Sequence, residues 1–161
     1  MPKPIISLIV AHGKNREIGA KNDLMWHLPD DFKWFIKHTK GKPMLMGRKT
    51  MESLPGPLKN RKNMVLSRAN KLQEGFIKVN SLEEALAEAG DIEEIMIIGG
   101  GQIYEMCLPL ADRLYITLVE AEFDEADVFF PEYNGWLNTY REFHAQDEKH
   151  AFGFEFQIWE K

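Results

Sequence analysis

Cysteine occurs once in this chain of 161 residues, at Cys107, so no internal disulfide can form and a cysteine-rich zinc site is excluded. That usage suits a reducing compartment. Long apolar runs are missing as well. The N-terminal run Ile5 to Ala11 is too short for a membrane span or for a signal-peptide core with its cleavage site, so a cytoplasmic protein without membrane contact is expected. Positive charge is not in excess: the net charge of −5 argues against non-specific nucleic-acid binding over the whole surface. His12, His27, His38, His144 and His150 offer no pair at ligand spacing with a carboxylate partner, so no metal is expected. No Gly-x-Ser-x-Gly elbow, P-loop or Gly-x-Gly-x-x-Gly fingerprint occurs. Repeats, low-complexity tracts and linkers are absent too.

What is present is an ordinary globular composition, 44% hydrophobic and 28% charged. The length corresponds to one domain, residues 1–161, able to bury about two-thirds of its unfolded surface. Ile5–Ala11, Met44–Met46, Met64–Leu66 and Ile95–Ile98 are short apolar runs, the pattern of buried strands, and Phe76–Val79 and the β-branched-rich Leu114–Val119 read as further strands. Helical signals lie between them: Pro29 with two acids behind it, Gly47-Arg48-Lys49-Thr50, a capping box at Ser81 to Glu84, and Gln102 to Leu108 before Pro109. Tyr140–Phe143 and Phe152–Trp159 read as a closing antiparallel pair, with Phe152, Phe154, Phe156 and Ile158 at period two. The expected fold class is therefore α/β: one central, mostly parallel twisted sheet of about eight strands, an antiparallel C-terminal edge, and about four flanking helices.

The stretch from Asp23 to Phe35 stands out. Phe32, Phe35 and Ile36 recur at helical spacing and are expected to face a core, with Asp31 on the flank of that face. Taken alone, Asp30 and Asp31 cap a helix dipole. A carboxylate held against aromatic rings is also where an acid binds a cationic ring or relays a proton. Gly99-Gly100-Gly101, between a strand and a helix, presents bare backbone amides able to hold a pyrophosphate, or else forms a tight turn. Gly47-Arg48-Lys49-Thr50 and Ser67-Arg68 put cations and hydroxyls at two further strand ends. Each cation alone reads as a solvated charge, while together they suit the 2′-phosphate of a nicotinamide cofactor. Arg61 is either a surface charge or a bidentate clamp for a substrate carboxylate. His12 to Leu28, bearing Gly13, Asn15, Gly19 and Asn22, has no period and reads as a long functional loop.

In order along the chain stand Ile5 to Ala11, Ile18-Gly19, Trp26-x-Leu28-Pro29-x-Asp31 before Phe35, and Gly47-Arg48-x-Thr50. Pro57-Leu58 with Arg61, Ile98-Gly99-Gly100-Gly101 with Tyr104, Tyr115-x-Thr117, Pro131 and Glu142-Phe143-His144 complete the set. Together they resemble the dihydrofolate reductases of the bacterial chromosomal type over nearly the whole length. The resemblance implies NADPH-dependent reduction of dihydrofolate to tetrahydrofolate for one-carbon metabolism, by a monomer that antifolates inhibit. It assigns Asp31, with Trp26 and Thr117, to the catalytic site, Thr117 acting through water. Ile9, Phe35, Leu54 and Leu58 would pack the substrate rings, with Arg61 on the glutamate carboxylate. Ala11, Ile18, Gly19, Asn22, Asp23 and Tyr104 fall on the nicotinamide side, and Gly99, Gly100, Gly101, Gln102 and Ile103 on the pyrophosphate. Arg48, Lys49, Thr50, Ser67 and Arg68 fall on the adenosine end, and the loop from His12 to Leu28 becomes a lid.

Departures from the family pattern are Met25 before Trp26, Met51 for a frequent aromatic, Gly56 where relatives often offer a cation, and Gln102 where some have arginine. None touches Asp31. Two other classes stay in view: a riboflavin-pathway reductase acting on a ribosylamino-pyrimidine, which the Trp26 to Asp31 motif with Arg61 disfavours, and a non-catalytic pterin- or nucleotide-binding protein, which the acid at Asp31 disfavours.

Overall fold

Strand order explains why the apolar runs are so continuous. The computed structural model describes residues 3–19, 26–68 and 72–161. Eight strands form one sheet: β1 (Ile5–His12), β3 (Met44–Gly47), β4 (Asn63–Leu66), β5 (Ile77–Val79), β6 (Glu94–Ile97), β7 (Arg113–Val119), β9 (Leu137–His144) and β10 (Phe154–Glu160). Their order is β5-β4-β3-β6-β1-β7-β10-β9. Strands β5 to β7 in that row run parallel, and only β10 opposes its neighbours. The helices are α1 (Pro29–Thr39), α2 (Arg48–Ser53), α3 (Leu82–Ala89) and α4 (Gly101–Cys107), the last followed by a 3-10 turn, Leu108–Leu110. The expected α/β architecture is the one observed.

Side chains alternate across the sheet, as a pleat requires. Leu8, Val10, Ile95, Ile97, Leu114 and Ile116 join Leu82 and Ala85 of α3 and Tyr104 and Cys107 of α4 in one core. Ile9, Met96, Ile98 and Tyr115 join Trp34 of α1 and Met51 of α2 in the other. The period-two aromatics of β10 also hold, since Phe154 and Phe156 are buried in that second core with Phe152 and Ile158 packed against it.

Three local expectations are corrected. The core face of α1 is carried by Trp34, 6% exposed and stacked on Phe156 with ring centroids 4.4 Å apart, whereas Phe32 is 61% exposed. α1 is apolar in two directions, and its spacing does not say which one meets the sheet. The expected loop from His12 to Leu28 contains a short strand, β2 (Glu17–Gly19), which pairs antiparallel with β8 (Val128–Phe129). In the capping box, Ser81 Oγ accepts from Glu84 N as expected, but the Glu84 carboxylate accepts from Asn80 N rather than from Ser81.

Candidate active site

Parallel strands deliver their C-terminal ends to one edge of the sheet, where α/β proteins bind ligands at points of reversed strand order. Here β1 lies between β6 and β7, and the connection leaving β1 goes to one side while the one leaving β6 crosses to the other. Ala11 pairs with Thr117, and Gly47 with Leu66, so Arg48 and Ser67 leave the sheet side by side.

Asp31 sits in the first turn of α1, on the face of the sheet that carries Ile9 and Tyr115. Thr117 of β7, 1% exposed, donates from Oγ1 to Asp31 Oδ1 at 2.7 Å. This contact joins positions 86 residues apart. Burial pushes the Asp31 carboxyl up to about 6, and the Thr117 hydroxyl opposes the rise only in part. Next to it, Tyr104 donates its hydroxyl to the Ile9 carbonyl at 2.7 Å. Burial raises the Tyr104 hydroxyl well above its usual range, and the charge of Asp31 adds to the rise.

Aromatic and aliphatic groups line the same face of the sheet. Trp26 is part-buried and lies 5.2 Å from Phe123 between ring centroids. Phe35, Leu54 and Leu58 are part-buried against the core that holds Ile9. Phe32, which sequence reasoning turned inward, stays open beside Asp31 and stacks on Phe35 at 6.4 Å. Arg61 is fixed rather than loose. Its Nη1 donates to Thr39 Oγ1 and its Nε to the Lys59 carbonyl, both at 2.8 Å, so part of the fork is already oriented.

The triple glycine closes the other side. Gly99 has φ +131, and a Cβ there would stand 3.2 Å from Thr50 Oγ1 and 3.3 Å from the Tyr104 hydroxyl. A Cβ on Gly101 would stand 2.6 Å from Val128 Cγ1. The bare backbone is therefore a steric requirement at Gly99 and Gly101, and it leaves the start of α4 free of side chains where a phosphate suits the amides. Gln102 is exposed and Ile103 part-buried on α4. Arg48 and Lys49 are exposed, and Arg48 Nε is paired with Glu52 Oε1 at 2.9 Å. Ser67 is part-buried and Arg68 exposed at the end of β4. Ala11 and Ile18 are part-buried, while Gly19 is buried with its carbonyl accepting from Asp127 N. Asn22, Asp23 and Met25 lie outside the described residues.

A desolvated carboxyl and a bare-backbone strand-to-helix junction on either side of one central strand define a class, the nucleotide-dependent α/β enzymes. Comparison with known proteins narrows it. Residues 5–161 match the family described as dihydrofolate reductase. Similar curated proteins include a dihydrofolate reductase of Haemophilus influenzae, 45% identical over 94% of this chain and 96% of its own length. Another, of Bacillus subtilis, is 44% identical over 98% and 95%. Among solved structures, dihydrofolate reductase from Enterococcus faecalis, complexed with NADP(H) and RAB-propyl, superposes with a TM-score of 0.87 at 31% identity, covering 98% of this chain and 96% of that one. The chain belongs to the dihydrofolate reductase family.

Proposed function

We propose that the chain catalyses NADPH-dependent reduction of 7,8-dihydrofolate to 5,6,7,8-tetrahydrofolate, with residues 1–161 acting as one catalytic domain. The observation that carries the reading is the Asp31 carboxyl, desolvated to a pKa of about 6 and held by Thr117 at 2.7 Å beside a half-open aromatic wall. Thr117 occupies one carboxyl oxygen and orients the other toward the N3 and 2-amino edge of the pterin. A carboxyl titrating near neutrality favours the protonated, electrophilic form of the ring, whether by lending its own proton or by its charge. Trp26 shields that edge and helps order water there. Ile9, Phe32, Phe35, Leu54 and Leu58 receive the pterin and aminobenzoyl rings, and Arg61, pre-oriented by Thr39, grips the glutamate carboxylate.

The residues present fit the cofactor, since Gly99 and Gly101 stand where a Cβ would crowd Thr50, Tyr104 and Val128, and this leaves bare backbone amides at the start of α4 for a pyrophosphate. Bound NADPH supplies the hydride that reduces C6 of the pterin while N5 gains a proton. Gly99 to Gly101, Gln102 and Ile103 would hold its pyrophosphate, Ala11, Ile18, Gly19 and Tyr104 its nicotinamide end, and Arg48, Lys49, Thr50, Ser67 and Arg68 its adenosine 2′-phosphate. The Arg48–Glu52 pair is exposed on both sides and contributes at most about 0.5 kcal/mol, so a phosphate can displace it. Asn22 and Asp23 belong to the same lid-side reading. We further place the protein in the cytoplasm as a monomer, in keeping with its single, buried, free cysteine. Among the described residues no helix is long and apolar enough to cross a membrane.

The test is NADPH absorbance on mixing with dihydrofolate, with NADH in parallel. Rapid loss with NADPH and little with NADH is expected. Equal rates would keep the reaction and remove the 2′-phosphate site. No loss with either would turn the assignment toward the ribosylamino-pyrimidine reductase or a binding protein.

A further inference from the structure

Helix α1 carries Asp31 but begins without a cap of its own. Its N-cap residue is Leu28, which has no side-chain acceptor, and Pro29 has no N–H. Asp31 N and Phe32 N donate to the Leu28 carbonyl at 3.0 and 3.3 Å. Asp30 N is left, and it donates at 3.2 Å to Nε2 of His150, a residue 120 positions further on. His150 is 3% exposed, in the turn between β9 and β10.

The ring is held in one orientation. Asp147 Oδ1 lies 2.8 Å from His150 Nδ1 and also accepts the backbone N–H groups of Lys149 and His150, each at 2.9 Å. Paired Asp147–His150 backbone hydrogen bonds close the same turn. Because Nε2 accepts, the proton resides on Nδ1 and is donated to the carboxylate, which defines a neutral imidazole in one tautomer. The ring also lies 5.1 Å from Phe154, which is 5.3 Å from Phe156, the residue stacked on Trp34 of α1. The same turn and strand thus hold α1 at its start and along its buried face. Charged groups around the ring are Asp147, Asp30 with Oδ2 at 3.8 Å and its partner Lys33, and the neighbouring Lys149.

We propose that His150 is a positioning residue of the active site: as a neutral, Nδ1-protonated imidazole it caps Asp30 N from a remote turn and so sets the first turn of α1 and the pose of Asp31 under Thr117. This rests on Asp31 being the acid of the reaction, but the cap itself does not.

Three measurements test it on the intact protein. Nitrogen NMR of the histidine rings in the wild type must find His150 protonated on Nδ1 at neutral pH; protonation on Nε2 overturns the cap whatever the activity. His150→Leu fills the space without an acceptor, and is expected to slow single-turnover NADPH consumption roughly tenfold and to displace the pH midpoint of that step. His150→Gln restores an acceptor for Asp30 N and is expected to recover the wild-type midpoint and to come within about twofold of the rate. A folded Leu variant with wild-type rate and midpoint, or a Gln variant as impaired as Leu, overturns the proposal. Should the Leu variant not fold, Asp147→Ala replaces it, since Asp147 is exposed; it is expected to displace the midpoint from its wild-type value, and an unmoved midpoint counts against the proposal. Absence of turnover in the wild type would instead sink the reductase reading and leave the NMR test of the cap standing.

Discussion

Asp31 and Glu94 are both acids packed into the protein, yet they are shifted in opposite directions, and the number of donors decides the sign. Among the described residues Asp31 has one, Thr117, so desolvation prevails and its carboxyl rises to about 6. A folded-state value above the ordinary 3.8 means that protonation favours the native state. The contribution of Asp31 to stability is thus full below pH 3.8 and lost as pH rises through about 6. At neutral pH the charged carboxylate costs about 2–3 kcal/mol. Asp31→Asn, whose amide oxygen still accepts from Thr117, is therefore expected to be more stable than wild type in urea at neutral pH by about 2 kcal/mol, the gain vanishing near pH 4. Its turnover at neutral pH is expected to fall by orders of magnitude, recovering in part with preprotonated substrate in acid. An Asn variant less stable than wild type at neutral pH would mean that the carboxylate is not desolvated.

Secondary-structure elements contribute by where they end. The junction of β6 and α4 was legible as three glycines in a row, but what those glycines avoid is not local. Gly99 is bounded by Thr50 of α2 and Tyr104 of α4, and Gly101 by Val128 of β8. Gly99→Ala forces a side chain into a positive-φ conformation with two oxygen atoms at about its contact limit, a cost of roughly 1–3 kcal/mol. The expected outcome is a lower melting temperature and a smaller upward shift of it on adding NADPH. An unchanged shift would separate the glycines from the cofactor. The capping box shows the same limit on a smaller scale. Ser81 does cap α3, but Glu84 turns to Asn80 N and its side-chain amide instead.

Across the whole molecule, the edge of the sheet opposite the candidate site is held by one buried acid. Glu94 at the start of β6 accepts from Ser7 of β1, Lys42 before β3 and Tyr115 of β7 at 2.6, 2.6 and 2.8 Å, with Arg113 at 3.4 Å and itself bonded to Glu160 of β10. Burial alone would raise the Glu94 carboxyl, yet the hydrogen bonds from Lys42, Ser7 and Tyr115 hold it below its usual value of 4.5. Its stabilisation is therefore present above pH 4.5 and lost as pH falls through the lowered value. Glu94→Gln leaves Lys42 without its counter-charge and Arg113 with that of Glu160 alone, and is expected to cost about 2 kcal/mol at neutral pH, discounted for the partial exposure of both cations. The deficit should shrink in acid, with KM values unchanged because the cluster lies at the far end of the strands. A deficit that persists undiminished in acid would assign the loss to packing rather than charge.

The strands, their mostly parallel order and the bare junction at Gly99 to Gly101 were decided by the sequence itself. A strand covered on both faces has to be apolar without interruption, and a backbone that meets its neighbours at van der Waals distance has to lack Cβ. The ordered set of motifs from Trp26 to Thr117 likewise carried the family. Tertiary structure decided the rest. It chose Trp34 over Phe32 for the core, because a helix with apolar residues on two sides satisfies either choice until a sheet is laid against it. It brought Thr117 directly onto Asp31, turned Arg48 along its own helix to Glu52, and set His150 over the start of α1. Those contacts depend on which strands become neighbours and in what register, and a desolvated carboxyl exists only once that packing has removed its water.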